Sequence, residues 1–391
     1  MQRSLSFAVL ALASLGVMVT GPAFAQSKPP IKIGNITFLS GPSASAGQLL
    51  DAMADLAVED INAAGGINGS LVVKQTEDAQ LDPAQAVLMY RKLATEGAVA
   101  TLGPGTGTQW QTVAALSPQV KLPAATVNAV APGITVRPWT IRLQVADDTL
   151  IPDLVDKFLA KFPNTKKVVI TTDSGESSTI AAYNLYKTAA EKHKIEVLGG
   201  NVGFTGKTMD LSPIAIEVKR LDPDAVWAAA LPPQTLMLAK ALAGQEFTKP
   251  RLGNIIFWPG NFVATVGDAG KNWYVSGVST NTDVTGDNQL YKTIAARFLE
   301  RAAKIPKAST NIANATVAYD TMMVYADILR KAGVDGNTPI LEAREKMKEG
   351  FLALKEWRGL NLYKMRENGD AETPQRLLVV DSATGQWKDA D

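Results

Sequence analysis

The chain has 391 residues, with 39 Lys+Arg against 38 Asp+Glu, one histidine and no cysteine. This near-neutral balance excludes nucleic acid and anionic membrane surfaces as partners, because both select clustered excess positive charge. With no thiols and His193 as the sole imidazole, disulfides, thiolate or histidine metal clusters and Ser-His-Asp triads are excluded, and no cofactor is expected.

In chain order, Arg3, the apolar run Leu5–Val19 and Pro22-Ala23-Phe24-Ala25 read as a signal peptide over 1–25, cleaved near Ala25/Gln26. The run is too short for a spanning helix, so the mature protein is expected to be exported without inserting into the membrane. Its loss removes only Arg3, and about 365 residues remain, enough for two lobes to stand without disulfides.

Ile31–Thr37 reads as a buried strand. Gln48–Asn62 reads as a helix, with Leu49, Met53, Ala57 and Ile61 on one face and Asp51, Asp55 and Glu59 on the wet one, stopped by Gly65-Gly66. Leu71–Thr76 is the next strand, and Asp82-Pro83-Ala84-Gln85 opens a helix with a capping side chain and a first-turn proline. Strands at Val99–Leu102 and Leu122–Thr126 flank a helix begun near Thr108. After Asp147 the alternation restarts, with strands at Lys167–Thr172, Ile195–Leu198 and Ala225–Ala230. The helices between and beyond them are Ser178–Lys192, one opened by Ser212-Pro213, and Pro233–Gly244. Helices at Asp287–Ala303, Asn314–Lys331 and Pro339–Lys348 precede strands around Leu360–Lys364 and Arg376–Asp381. Repeated β-α order with short connections predicts an α/β fold whose parallel sheets are covered by helices on both faces.

Open parallel sheets bind ligands beyond the carboxyl ends of their strands. There the loops Leu39–Gly47, Gly103–Thr108 and Ser174–Thr179 are rich in glycine and hydroxyl residues, and each precedes a helix whose first amides are unpaired and partly positive. That chemistry suits a carboxylate. Nucleotide motifs do not fit, since Thr108 stands where a third glycine is needed and no P-loop lysine follows. The acids fall mostly on helix stripes such as Asp51/Asp55/Glu59, so an enzyme is not expected.

Several stretches resemble the leucine/isoleucine/valine-binding family of periplasmic proteins, the substrate-binding components of ABC transporters. They are Ile31–Gly34 leading to Leu39-Ser40-Gly41-Pro42, Ala57–Gly69, Glu77–Pro83, Gly103–Gln109, Leu122–Thr126 and Ala318-Tyr319-Asp320. The resemblance implies a type I periplasmic-binding-protein fold, with two Rossmann-like lobes joined by three hinge crossings near Leu143, Ser276 and Arg358. It places residues 29–142 plus 278–356 in an N-terminal lobe and 143–277 plus 357–389 in a C-terminal lobe. It further implies a monomer that closes on a small carboxylate for an ABC permease or, alternatively, for a membrane receptor that senses the closed form.

By the same resemblance the ligand is held by Thr106, Gly107, Thr108, Ala124, Ala125 and Thr126. Ser45, Ala46, Ser177 and Leu231 fall at further ligand positions, three of which carry aromatic side chains in the family. Where an acid should neutralise an ammonium, Ile255–Asn261 has Trp258 and Asn261 but no carboxylate. An unpaired ammonium in a closed site costs several kcal/mol, so an aromatic or other organic acid is expected ahead of a plain branched-chain amino acid. Glu176, on a neighbouring loop, is the alternative acidic partner.

Overall fold

The computed structural model describes residues 28–41, 43–253, 262–277, 289–306, 308, 315–384 and 386–390. The chain opens with β1 (Ile31–Thr37), as expected. Helix α1 (Ala44–Ala63) starts four residues ahead of its apolar periodicity, because Ala44, Ser45 and Ala46 suit a first turn yet carry no periodic signal. It ends into Gly65 and Gly66, whose φ of +89° and +74° is strained for other residues. Then come β2 (Val72–Asp78), α2 (Pro83–Thr95), β3 (Ala100–Leu102), α3 (Gly107–Val120), β4 (Ala124–Thr126) and β5 (Thr140–Arg142). The Asp82 carboxylate caps α2 by accepting from the Gln85 N–H at 2.9 Å.

These five strands form one parallel sheet in the order β2-β1-β3-β4-β5. The apolar stripe of α1 packs in one core with Phe298, Tyr325 and Phe351, while Tyr90 and Trp110 of α2 and α3 anchor another.

The second lobe begins with α4 (Asp147–Lys161) and alternates through β6 (Lys167–Asp173), α5 (Ser177–Lys192), β7 (Glu196–Phe204), α6 (Ser212–Leu221), β8 (Ala225–Ala229), α7 (Pro232–Gly244) and β9 (Arg251–Gly253). The short α8 (Phe262–Val266) and β10 (Trp273–Gly277) follow. The chain then returns to the first lobe as α9 (Gln289–Ala302), α10 (Thr316–Lys331) and α11 (Ile340–Ala353). A small antiparallel sheet, β11 (Glu356–Arg358), β12 (Leu362–Met365) and β13 (Ala371–Glu372), precedes β14 (Arg376–Asp381) and β15 (Gln386–Asp389). The second large sheet runs β15-β14-β10-β9-β8-β6-β7. It is parallel from β7 to β10, but β14 and β15 join its edge antiparallel, which the simple β-α reading did not foresee.

The chain thus passes between lobes after β5, after β10 and after β13. Leu360, Tyr363 and Ala371 are buried in the first lobe's core and Leu377 and Leu378 in the second's, so the packing changes sheets between β13 and β14. A buried ion pair ties two of these passages together. Arg142, wholly buried like Asp370, donates from Nε to Asp370 Oδ1 at 3.0 Å and lies 2.8 Å from Oδ2 through Nη2. Its Nη1 also donates to the carbonyls of Ala129 at 3.1 Å and Ala131 at 2.6 Å, holding the loop after β4.

Candidate functional site

The carboxyl ends of β1, β3 and β4 are drawn together by close backbone approach. Gly103 has a φ of +81°, and a Cβ there would run into the carbonyl of Ile36, so β3 can turn beside β1 only at a glycine. A Cβ on Gly105 would stand 2.9 Å from Cε1 of Phe38 and 3.8 Å from Cβ of Asn128, which places three loops at one point. The buried Thr126 hydroxyl donates to the Pro104 carbonyl at 2.8 Å and accepts from the Ala129 N–H at 3.2 Å. It therefore splices the loops after β3 and β4, and its donor is already engaged.

Thr106 caps α3, its Oγ1 accepting from the Gln109 N–H at 3.3 Å. Gly107 and Thr108 form the first turn of α3 and face the second lobe. There Glu176, itself the cap of α5, extends a buried carboxylate between two helix N-termini. Oε1 accepts from the Thr108 N–H at 3.0 Å and from the Ser178 N–H at 3.3 Å, while Oε2 accepts from the Thr108 hydroxyl at 2.7 Å. The Ser177 N–H donates to Thr108 Oγ1 at 3.3 Å. A Cβ on Gly107 would overlap Ser178 Oγ and lie 2.8 Å from Glu176 Oε1, so only glycine admits this approach. Both helix dipoles and the charge-assisted hydrogen bonds favour an anion at this point.

Asp173, at the end of β6, lies just behind. Burial, the largest influence, pushes its carboxyl above the usual range; the Gly175 and Gly206 amides oppose this and the Glu176 charge adds to it. In the first lobe, burial alone would raise Asp78, but hydrogen bonds from Ser40 Oγ, Leu39 N–H and Gln80 N–H hold it below the usual value and pin the β1–α1 loop.

The site residues expected from the sequence divide accordingly. Thr106, Gly107, Thr108, Thr126 and Ser177 converge. Ser45 and Ala46 lie in the first turn of α1 rather than in a loop. Leu231 caps α7 at the end of β8, the strand beside β6. Ala124 and Ala125 lie inside the first sheet. Both are wholly buried within β4, the Ala124 N–H donates to Trp139, and the Ala125 carbonyl accepts from Gly103. The approachable residue on that segment is Asn128, past the strand end. Trp258 and Asn261 lie outside the described residues. Phe38, Asn128 and Ser178 were missed. Phe38 looks like one more apolar strand residue and Asn128 like an ordinary turn, though the Glu176-Ser177-Ser178 run did carry a signal in its acid beside two hydroxyls.

Among the described residues, no group of three His, Cys, Asp or Glu is placed to hold a metal, and no helix is long and apolar enough to cross a membrane. Two α/β lobes with helix N-termini facing each other across three chain passages define the type I periplasmic binding architecture. Residues 30–386 match the family model described as periplasmic binding protein, and the chain belongs to that family, whose members bind solutes. It is similar to Leu/Ile/Val-binding protein homolog 8 of Brucella suis, 28% identical over 225 residues, which are 55% of each protein. The chain thus spans about half the length of the curated relatives it matches. Among solved structures, the branched-chain amino acid transporter substrate binding protein LivJ from Streptococcus pneumoniae, in complex with isoleucine, superposes with TM-score 0.77 at 22% identity, covering 92% of this chain and 98% of that one. A solute-binding protein of an R. palustris ABC transporter, in complex with 4-hydroxybenzoate, gives TM-score 0.79 at 20% identity, covering 93% and 96%.

Proposed function

We propose that this protein works in the periplasm, after loss of residues 1–25, as the receptor of an ABC importer. It captures a small carboxylate, either an amino acid or an aromatic or other organic acid, and presents it to the permease. The lobes that close are the one built on the five-stranded sheet and the one built on the seven-stranded sheet. The observation that carries the reading is that the first turn of α3 already grips a carboxylate across the gap, through the amide and hydroxyl of Thr108. Isoleucine and 4-hydroxybenzoate, the ligands of the two similar structures, share only their carboxylate as an anionic group. Closure follows from differential contact, since a ligand seated on one lobe offers its free face to the other and the closed form gains what the open form lacks. Alanine and leucine at positions 46 and 231 leave room for an apolar body.

A thermal-shift screen of amino acids, aromatic acids and aliphatic acids, followed by calorimetry, tests this. Each hit is compared with its primary amide, for example benzoate with benzamide and leucine with leucinamide. Acids are expected to bind at least tenfold tighter than their amides, as one lost charge-assisted hydrogen bond is worth about 1.5–3 kcal/mol. Equal binding of acid and amide, or no binding of any acid, would refute the carboxylate reading.

A further inference from the structure

The carboxylate held by α3 belongs to the protein itself, and this has consequences for selectivity that rest on the reading above. Glu176 uses both oxygens, on donors from both lobes, and is buried in doing so. Beside it the Ser178 hydroxyl is also buried and has no hydrogen-bond partner among the described residues, although it points at the Gly107 turn of α3. A buried donor without an acceptor costs free energy. It marks a position where the arrangement with Glu176 in place is incomplete.

We propose that Glu176 is an internal competitor for the anion cradle. With no ligand bound, it bridges Thr108 and the start of α5, holding the lobes together. An incoming carboxylate displaces it, takes over the Thr108 amide and hydroxyl, and gains the Ser178 hydroxyl that Glu176 leaves unused. The binding-competent state is the fraction in which Glu176 has swung away, so the apparent affinity is lower than the intrinsic one by that fraction. Glu176 thereby selects against weak anions: only a ligand whose remaining surface adds contacts in both lobes outcompetes a carboxylate that is already tethered. Ser178 becomes a second-lobe ligand contact, and Gly107 is required in both states.

The test compares wild type, Glu176→Ala, Glu176→Gln and Ser178→Ala by small-angle scattering without ligand and by calorimetry with benzoate and L-leucine as probes. Glu176→Ala is expected to expand the ligand-free protein and to bind at least one probe about tenfold tighter, the factor that about 1.4 kcal/mol represents. Glu176→Gln keeps the shape and loses the charge, and should fall between the two. Ser178→Ala should leave the ligand-free dimensions unchanged and weaken the same probe. Weaker probe binding by Glu176→Ala would overturn the proposal by making Glu176 a direct ligand contact for a cationic group, and unchanged ligand-free dimensions would overturn the bridging role. If neither probe binds any of the four proteins, the carboxylate reading fails for these acids, while the scattering comparison still decides whether Glu176 holds the lobes.

Discussion

Replacing Asp370 with alanine gives the sharpest test of how the hinge supports the site. Asp370 is wholly buried and accepts three hydrogen bonds, from Arg142 Nε at 3.0 Å, the Thr135 hydroxyl at 2.5 Å and the Asn368 amide at 2.9 Å, and its Oδ2 lies 2.8 Å from Arg142 Nη2 as an ion pair. Alanine leaves the Arg142 guanidinium, also wholly buried, with the Ala129 and Ala131 carbonyls as its remaining partners among the described residues. Removing one partner of a buried pair costs about 3–5 kcal/mol, because the remaining charge is uncompensated. With a urea slope of about 3 kcal/mol/M, the unfolding midpoint should fall by roughly 1–1.7 M. Tryptophan fluorescence and far-ultraviolet circular dichroism should report the same midpoint, with the slope unchanged. Arg142 also braces the loop that carries Asn128, so ligand affinity should fall in the folded variant as well. A midpoint shift below about 0.2 M would show that the pair contributes little and that the loop is held by other contacts.

The buried Asp320 accepts from the Leu360 and Asn361 amides and from the Tyr363 hydroxyl, and burial, outweighing these bonds, pushes its pKa up to about 6. The native state therefore keeps a proton that the unfolded chain loses near pH 4, so the contribution of Asp320 to stability is full below that pH and declines as pH rises through 6. That decline, at most about 3 kcal/mol, should be visible in the pH dependence of wild-type unfolding and missing from Asp320→Asn; matching profiles would refute it. Gly107→Val should fold normally, since the position is helical, yet weaken ligand binding at least tenfold and keep the lobes apart in scattering. Unimpaired closure would mean that α3 and α5 do not approach as described.

The signals legible in the sequence are the local ones. β1 spans its expected residues, Asp82 caps α2, Gly65 and Gly66 end α1, and the hydroxyl-rich loops do precede helices. Each of these depends on neighbours within a few positions, where backbone sterics and hydrogen-bond reach leave few alternatives. The three-residue β5 was missed because so short a stretch shows no period, whereas β3 and β4, equally short, sit within longer apolar runs.

What the tertiary structure alone decided are the pairings between distant residues. Glu176 meets Thr108 across 68 positions, and Asp370 meets Arg142 across 228. In the sequence Asp370 is an ordinary acid beside an ordinary turn, and Glu176 stands out only as an acid in a hydroxyl-rich loop, with nothing to say which donors it meets. Only when two sheets bring their strand ends and hinge passages together does burial strip away water and make each carboxylate depend on one particular set of donors. The sequence by itself thus determined which elements form and what chemistry their ends can offer. The packing of the lobes decided which ends face each other, and set the Glu176 carboxylate on the first turn of α3.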